Sequence, residues 1–272
     1  MTSDVIGGVN RAAVGTLLRN WRKQRRISQM ELALKADSSA RHISFIETGR
    51  SRPSQDLLLR LAEQLSVPVR DRNALLIAAG YAPAYPQTPL GHPAMHSLSK
   101  VLDFLLTAHE PNPALVMDGV HDIVAANRAI RILLGDTPEH LLRPPMNAIR
   151  LTLHPQGLAP RIHNLTEWRT HLLERLEQQI AMRSSPALRR LYDEVSAYPA
   201  PDGAVADAGS PHPVESHPYA LPLRIEAGGR VLSLISTVTT FNTPMDVTVS
   251  ELALETFLPA DPETADALQA LG

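Results

Sequence analysis

The stretch SQMELALKADSSARHISFIETGR, residues 28–50, decides the fold of the N-terminal third of this chain. Ser28 followed three residues later by Glu31 is a capping-box pattern, which predicts the start of a helix. Asp37 comes at the end of a short run of helix-forming residues and tolerates the left-handed backbone that a tight turn requires. The first half of the stretch therefore predicts a short helix and a turn.

The second half of the stretch predicts another short helix. Ser39 is a suitable N-cap, and residues 40–48 place Ile43 and Ile46 on the face that would be buried. Gly49 is the residue type that commonly ends a helix in the left-handed conformation. A short helix, a turn of three or four residues and a second short helix form the helix-turn-helix unit.

The flanking sequence extends this unit to five helices over residues 11–80. Before the motif, four apolar residues recur at i, i+3, i+4 and i+7, the spacing of one helical face: Val14, Leu17, Leu18 and Trp21. After it, Ser54 can cap a fourth helix, and residues 69–79 form a fifth that ends at Gly80. The N-terminal domain is therefore predicted to be entirely α-helical.

Charge and composition separate this domain from the rest of the chain. The 272 residues carry a formal charge of −2, but residues 1–84 sum to +6 and residues 85–272 to −8. A basic module on an acidic body is typical of a protein that binds a polyanion.

The absence of Cys excludes disulfides, thiolate metal sites and a Cys nucleophile. No apolar run reaches membrane-spanning length and no signal pattern opens the chain, so we expect a cytoplasmic protein without a membrane partner.

The motif resembles the helix-turn-helix of the XRE (Cro/C1-type) family of bacterial regulators, from about residue 17 to residue 65. The matching positions are Ser28, Gln29, Glu31, Leu32, Ala33, Ala36, Ser39, Ile43, Ser44, Glu47, Gly49, Arg50, Arg52 and Pro53. The family usually has Gly then Val at the turn, where this chain has Asp37 and Ser38. The resemblance implies that double-stranded DNA is the partner.

Helix placement in this family puts residues 40–48 in the major groove, with the first residues at the base edges. The outward residues of that helix are Ser39, Ala40, Arg41 and Ser44. Arg41 could pair with guanine through two hydrogen bonds. Gln29, Arg50 and Arg52 would contact phosphates. The alternative is a solvated charged face on a small helical bundle, and Glu47 is better explained as an internal ion-pair partner for an Arg of the first helix.

The remaining residues form a second domain, 95–272, after a Pro-rich linker at 81–94. A helix over 95–109 with Leu98, Val101, Leu102 and Leu105 on one face is followed by a hairpin that turns at Asp118-Gly119. Helices and a Pro-rich loop at 199–218 precede strands at 219–226, 230–241 and 246–254. This order predicts an α+β, PAS-like domain: a five-stranded antiparallel sheet with helices on one side.

Several short stretches resemble the MmyB-like ligand-binding domain, which commonly follows XRE-type motifs. They are HEPNPALV (109–116), AN (126–127), RLTLHP (150–155), NLTEWR (164–169), TVTTF (237–241) and DVTVSEL (246–252). Asn242 stands where the family would have Gly. The resemblance implies a PAS-like fold with an internal pocket for a fatty acid or another small apolar ligand.

Five residues are candidates for that pocket, each with a structural alternative. Arg150 and His154 lie one helical turn apart and could meet a carboxylate headgroup, or could satisfy carbonyls or a nearby acid instead. Asn127 is either a polar pocket residue or a helix cap. Trp168 and Leu172 are either ligand wall or plain core.

The sequence offers no pattern for catalysis, a metal or a cofactor beyond a bound ligand. His212, Glu215 and His217 are close together, but a metal site needs ligands that converge from fixed elements and these lie in a Pro-rich loop. The GxSxG, Walker, GxGxxG and HExxH patterns are absent. We therefore expect no enzyme.

Three classes of function are compatible with these patterns. The first is a ligand-responsive, DNA-binding transcription regulator, expected to be a homodimer because such regulators usually read two half-sites. The second is a helix-turn-helix protein whose C-terminal domain serves only dimerisation or protein–protein interaction. The third is an enzyme fused to a DNA-binding motif. The first is favoured.

Overall fold

The computed structural model describes residues 3–182, 185–199 and 220–271, with side chains from residue 13 onward. The chain divides into two compact units. Unit 1 contains the residues up to Pro89 together with Asn242–Ser250, and unit 2 contains Leu90–Phe241 and the residues from Glu251 onward. The predicted Pro-rich loop, the start of the strand predicted at 219 and the His212–His217 group lie outside the described residues.

Unit 1 begins with the five helices that the sequence predicts. They are α1 (Ser3–Gln24), α2 (Gln29–Lys35), α3 (Ala40–Glu47), α4 (Gln55–Gln64) and α5 (Val69–Ala78). The hydroxyls of Ser28, Ser39 and Ser54 each accept a hydrogen bond from the backbone N–H three residues later, at 3.1, 3.1 and 3.3 Å. Asp37 adopts a φ of 50°, which confirms the predicted left-handed turn between α2 and α3.

The core of unit 1 is apolar, and α1 and α3 approach closely within it. Val14, Leu18, Ile43 and Ile46 are fully buried. Gly15 allows the approach, because a Cβ there would overlap the carbonyl oxygen of Ile46 and lie only 2.8 Å from that of Glu47. No local sequence pattern predicts this contact.

The segment that follows α5 is packed against unit 1. The hydroxyl of Tyr81 donates to the carbonyl of Pro53 at 2.9 Å. The amide of Asn73 donates to the carbonyl of Tyr85 at 2.7 Å and accepts from the N–H groups of Ala84 and Tyr85, both at 3.1 Å. Residues 81–85 of the predicted linker are therefore fixed to the helices of this unit.

Unit 2 is built around an antiparallel sheet in the order β2-β1-β5-β4-β3. The strands are β1 (Ala114–Met117), β2 (Ile123–Ala126), β3 (Leu223–Ala227), β4 (Arg230–Thr240) and β5 (Ala253–Pro259). The helices of this unit are α6 (His96–Ala108), α7 (Ile130–Leu134), α8 (Glu139–Leu142), α9 (Ala148–Leu153), α10 (Leu165–Met182), α11 (Pro186–Ser196) and α13 (Pro262–Leu271). Between β4 and β5, α12 (Val247–Glu251) lies in the segment that belongs to unit 1 up to Ser250. The predicted α+β domain with a five-stranded antiparallel sheet is confirmed.

The expectation that helices cover only one side of the sheet is wrong. Leu115 and Met117 of β1 belong to the main core with residues of α7, α9, α10 and α11. Ala114 and Val116 point to the other face and pack with Leu102 and Leu106 of α6. All four residues of β1 are buried, because the strand is apolar on both sides.

The face of α6 also differs from the prediction. Leu102 and Leu106 are buried, Leu98 and Leu105 pack at the edge of the same cluster, and Val101 is 47% exposed. The buried stripe therefore runs from Leu98 through the leucines that lie four, seven and eight positions after it, and Val101 lies outside this stripe.

The strand predicted at 246–254 is also wrong. Residues 247–251 form the short helix α12, because the carboxylate of Asp246 accepts the N–H of Thr248 at 2.7 Å and caps the turn. The true strand, β5, begins at Ala253. It is buried on both faces and includes Glu255 and Thr256, so it lacks the alternation by which the sequence analysis identified strands.

The first hairpin has a longer connection than the predicted two-residue turn. The carboxylate of Asp118 accepts the N–H groups of Val120 and Asp122, both at 2.9 Å. His121 takes a φ of 68°. An Asp side chain that bonds to the backbone two residues on stabilises such a loop, so the chain reverses over Asp118–Asp122.

Candidate nucleic-acid interface and ligand cavity

The exposed side of α3 carries the residues predicted to meet DNA. Arg41 is exposed, Ala40 and Ser44 are half-buried, and the hydroxyl of Ser39 is already used as the N-cap of the helix. The opposite side is buried through Ile43 and Ile46. The side of α3 away from the core therefore presents a cation and small side chains, which suits close approach to base edges.

Phe45 organises the cations on this surface. Its ring is half-buried, and the guanidinium carbons of Arg41 and Arg50 lie 5.3 and 6.0 Å from the ring centre. Cation–π attraction at an exposed site is worth about 0.5–1 kcal/mol. Phe45 therefore favours conformations that hold both guanidinium groups beside α3.

Arg52, predicted to contact phosphate, is held on the segment after α5. Its guanidinium carbon lies 4.4 Å from the centre of the Tyr81 ring, and Nη2 donates to the carbonyl of Gly80 at 3.1 Å. A phosphate contact would therefore use the remaining N–H groups of an already stacked guanidinium.

A buried ion pair joins α1 to the end of α3. Arg22 donates to both carboxylate oxygens of Glu47 at 2.6 and 2.9 Å, and to the carbonyl of Ile27 at 2.8 Å. The Glu47 side chain is only 2% exposed. The predicted role of Glu47 as an internal partner for an Arg of the first helix is confirmed.

Gln29 joins the ion pair of Arg22 and Glu47, a contact that was not predicted from the sequence. Its side-chain amide donates to the second carboxylate oxygen of Glu47 at 2.8 Å. As the first residue of α2, Gln29 places its backbone N–H at a helix N-terminus, where such groups lack intrahelical partners. Its predicted phosphate contact would therefore come from the backbone and from the remaining amide hydrogen.

The cluster changes the acidity of Glu47. Burial alone would raise the pKa of this carboxyl group, but the hydrogen bonds from Arg22 and Gln29 outweigh it and lower the pKa below its usual value. The same hydrogen bond raises the pKa of Arg22. The pair is therefore ionised at neutral pH.

Acid should weaken the N-terminal unit through this group. Because the folded pKa is lowered, the contribution is complete above the pKa of an unfolded Glu, about 4.3, and is lost as the pH falls through the lower folded value. We expect the difference in unfolding free energy between the unchanged protein and Glu47→Gln to shrink between pH 6 and pH 3. Urea unfolding at both pH values measures it; a difference that stays constant would contradict the assignment.

Arg41 allows a direct test of base recognition. Arg41→Ala should reduce discrimination at one operator position by roughly 1–3 kcal/mol if its guanidinium pairs with a base. Fluorescence anisotropy with matched and single-base-changed duplexes measures this, and Arg50→Ala serves as the matched control next to the same Phe45 ring. Equal weakening on all duplexes would instead assign Arg41 to phosphate.

Unit 2 contains an apolar cavity between the sheet and its helices. Its free space is about 60 Å³. The wall includes Trp168 and Leu172 of α10, both at most 5% exposed, with Leu115 and Phe257 from the sheet. Trp168 and Leu172, two of the five candidate ligand residues, therefore line the cavity, and both also belong to the buried core.

Asn127 lies outside the cavity wall and bonds to the backbone. Its side-chain oxygen accepts from the N–H groups of Ala114 at 3.0 Å and Ile130 at 3.3 Å. Its amide nitrogen donates to the carbonyls of Asn112 at 2.9 Å and Leu106 at 3.3 Å. With four hydrogen bonds already made, Asn127 caps the turn before α7 and joins it to β1.

Arg150 and His154 also lie outside the cavity wall. Arg150 makes two hydrogen bonds to the carboxylate of Glu194, at 2.6 and 2.8 Å. Together with a hydrogen bond from Tyr198, these hold the pKa of Glu194 at about 2. His154 packs edge-on against Tyr198, and its burial lowers its pKa. The structural alternative considered for Arg150, a nearby acid, matches this geometry.

Glu255 lines the cavity but was missed by the sequence analysis. It lies on β5, in register with Leu115 of β1 and Val238 of β4, and is 8% exposed. No local pattern marks this position, because the predicted strand ended at residue 254 and a single acidic residue just after it does not indicate a cavity.

Two absences concern the described part of the chain alone. Across residues 3–182, 185–199 and 220–271, no group of three or more His, Cys, Asp or Glu could hold a metal ion. None of the helices in those same ranges combines the length and apolar character needed to cross a membrane.

The geometry and the comparisons together define a DNA-binding transcription regulator with a separate ligand-binding domain. A helix-turn-helix family model matches residues 18–71, which are of the XRE type, and the MmyB-like transcription regulator ligand binding domain matches residues 98–271. The second match spans more than half of the chain, so the chain belongs to the MmyB-like transcription regulator family.

Comparison with solved structures gives matches to a regulator from one organism. A crystal structure of the clp gene regulator ClgR from C. glutamicum is 34% identical over 26% of this chain and 88% of its own, with a TM-score of 0.23. A second, of the clp gene regulator ClgR from Corynebacterium glutamicum, is 27% identical over 39% of this chain and 98% of its own, with a TM-score of 0.24. No curated protein matches the chain.

Proposed function

We propose that this regulator binds operator DNA through α3 and that a small apolar molecule in the cavity of unit 2 changes its operator affinity. The observation that supports a bound ligand is the cavity wall, where Trp168, Leu172 and Phe257 enclose space next to the sheet. An apolar wall suits a hydrocarbon chain, such as that of the fatty acids implied by the family resemblance.

The size of the cavity supports a regulatory role for the ligand. About 60 Å³ is enough for a few water molecules, but a long hydrocarbon chain needs more. A chain-bearing ligand must therefore displace part of the wall as it enters. A ligand that binds one arrangement of the wall better than another shifts the equilibrium between them, which is the requirement for control of a second site.

Two copies of α3 would read half-sites about one DNA turn apart, so we propose a homodimer that acts in the cytoplasm without catalytic activity. Full operator affinity at dilutions where sedimentation detects only monomer would exclude the dimer.

Native mass spectrometry of the purified full chain, followed by denaturing extraction, tests the proposal. We expect a stoichiometric apolar molecule, and operator binding that depends on salt and changes when this molecule is removed and restored. A ligand-free protein whose melting temperature is unchanged across a lipid panel would favour a C-terminal domain that serves only dimerisation or protein–protein interaction.

A further inference from the structure

The second half of β4 leaves part of the sheet open at its edge. β3 pairs with β4 only as far as Leu223 opposite Leu234, whereas β4 continues to Thr240. Over residues 235–240, β5 supplies the partner strand on one side, and within the described ranges no strand lies on the other. Such an edge presents backbone N–H and C=O groups to which a further strand can bind.

The two outer strands of the sheet, by contrast, are met by other parts of the chain. Ile225 of β3 forms a bridge with Ile162. On β2, the N–H of Ile123 donates to the carbonyl of Met146 at 2.7 Å. The fold therefore supplies backbone partners at both of its outer strands, and the second half of β4 lacks one among the residues that the structure describes.

Alternate residues of β4 direct their backbone groups to the open edge. The hairpin between β3 and β4 closes with a two-residue turn, so Ala227 and Arg230 beside the turn form a hydrogen-bonded pair. Every second residue of β4 after Arg230 then points the same way. The carbonyl of Ser233 agrees with this alternation, because it accepts the N–H of Ala260 at 2.9 Å and so points away from β3. In the open part, the residues that point outward are Ser236, Val238 and Thr240.

Two copies of this edge are complementary to each other. When they run antiparallel about a two-fold axis through Val238, this residue lies opposite Val238 of the second copy. Ser236 of each copy then lies opposite Thr240 of the other. Each of these three pairs exchanges two hydrogen bonds, so a single register satisfies all the outward backbone groups.

The side chains of residues 235–240 also permit this pairing. The stretch ISTVTT contains no charge and no Pro, two of the features by which natural proteins protect an open edge. Ile, Val and Thr are types that strands favour. Val238 is 41% exposed, and the pairing covers it with the same valine of the second copy.

We propose that the homodimer forms by antiparallel pairing of β4 with β4 of a second copy over residues 235–240, which joins two five-stranded sheets into one. The two-fold register about Val238 favours a second copy over a strand of another protein. This inference rests on the homodimer proposed above and assigns its surface.

Amide hydrogen exchange with single-residue resolution tests the pairing in the full chain. It is measured above and below the concentration at which sedimentation equilibrium gives half dimer. We expect the amides of Ser236 and Val238 to exchange about tenfold or more slowly in the dimer. Those of Thr237 and Thr239 bond to β5 and should be protected equally at both concentrations. Equal exchange of the Ser236 and Val238 amides at the two concentrations would contradict the proposal.

Val238→Lys should raise the dissociation constant of the dimer about fivefold or more, because it places like charges opposite each other at the two-fold axis. Val231→Lys is the matched control. Val231 is 45% exposed on the same strand, but it lies in the part already paired with β3, so the dimer should be unchanged.

Val238→Pro tests the backbone contribution separately. It removes the central N–H from both copies and should raise the dissociation constant about tenfold or more. The missing N–H is one that points to the open edge, where Pro is tolerated in a strand. Thermal unfolding verifies that all three variants fold.

The outcomes separate this interface from the homodimer on which it rests. A dissociation constant that is unchanged in folded Val238→Lys overturns the interface and leaves the homodimer standing. Slow exchange of the Val238 amide in a monomer also overturns it, since another part of the same chain would then occupy the edge. A protein that is monomeric at every concentration overturns both.

Discussion

Replacing Arg22 with methionine is expected to destabilise the N-terminal unit by roughly 3–5 kcal/mol, the usual cost of removing one partner from a buried ion pair. The substitution leaves the Glu47 carboxylate buried, with the amide of Gln29 as its remaining side-chain hydrogen-bond donor. It also releases the end of α3 from α1, so operator affinity should fall with stability. Urea unfolding and DNA binding measure the two effects.

Two variants separate the ion pair from a loss of positive charge. Lys23→Met removes the same charge from an exposed position of α1 and should cost well under 1 kcal/mol. The double substitution Arg22→Met with Glu47→Leu removes both partners and should recover most of the stability, because apolar replacement of a whole buried pair is often neutral or stabilising. A double variant as unstable as Arg22→Met alone would show that the pair does not explain the loss.

Gly15→Ala is expected to destabilise the N-terminal unit by roughly 1–3 kcal/mol. The added Cβ would meet the backbone carbonyls of Ile46 and Glu47, and backbone atoms cannot turn aside as a flexible side chain can. Alanine is otherwise the better helix former by about 0.5–1 kcal/mol, so destabilisation would mean that the helix contact outweighs local propensity.

Gly91→Ala is the matched control for this change, because a Cβ at Gly91 meets no atom within 4 Å. We expect it to leave the melting temperature unchanged or slightly raised, since it reduces only the freedom of the unfolded chain. A Gly15→Ala protein that is as stable as Gly91→Ala and binds operator normally would refute the close packing of α1 on α3.

Local signals were sufficient for most of unit 1. The serine caps, the residue in the turn and the apolar spacing each act within four residues of chain, so α2 to α5 could be predicted close to their observed bounds. The start of α1 was not, because the helix begins at Ser3 and the domain was predicted to begin at residue 11. Glu47 was also interpreted correctly, because an acidic residue on a face otherwise occupied by Ile43 and Ile46 needs a buried cation. Gly15 was missed because its role depends on a helix 31 residues away in the sequence.

The cavity was predicted only in part, for a related reason. Trp168 and Leu172 lie on an amphipathic helix, whose buried face is visible in the sequence as a regular spacing. Arg150 and Glu194 are paired across 44 residues, and the position of Glu255 depends on strand pairing that begins after a misassigned helix. Which charged side chain enters a cavity depends on such long-range pairing, which local patterns do not contain.

The connection between β4 and β5 limits how this protein can be dissected. Residues 242–250 belong to unit 1, where the carboxylate of Asp246 accepts the N–H of Thr88 at 3.1 Å and the carbonyl of Pro86 accepts the N–H of Val247 at 2.8 Å. The backbone therefore passes between the units three times, after Pro89, Phe241 and Ser250. A single truncation therefore cannot isolate the DNA-binding unit. A chimera that exchanges this unit has to include both the residues up to Pro89 and Asn242–Ser250.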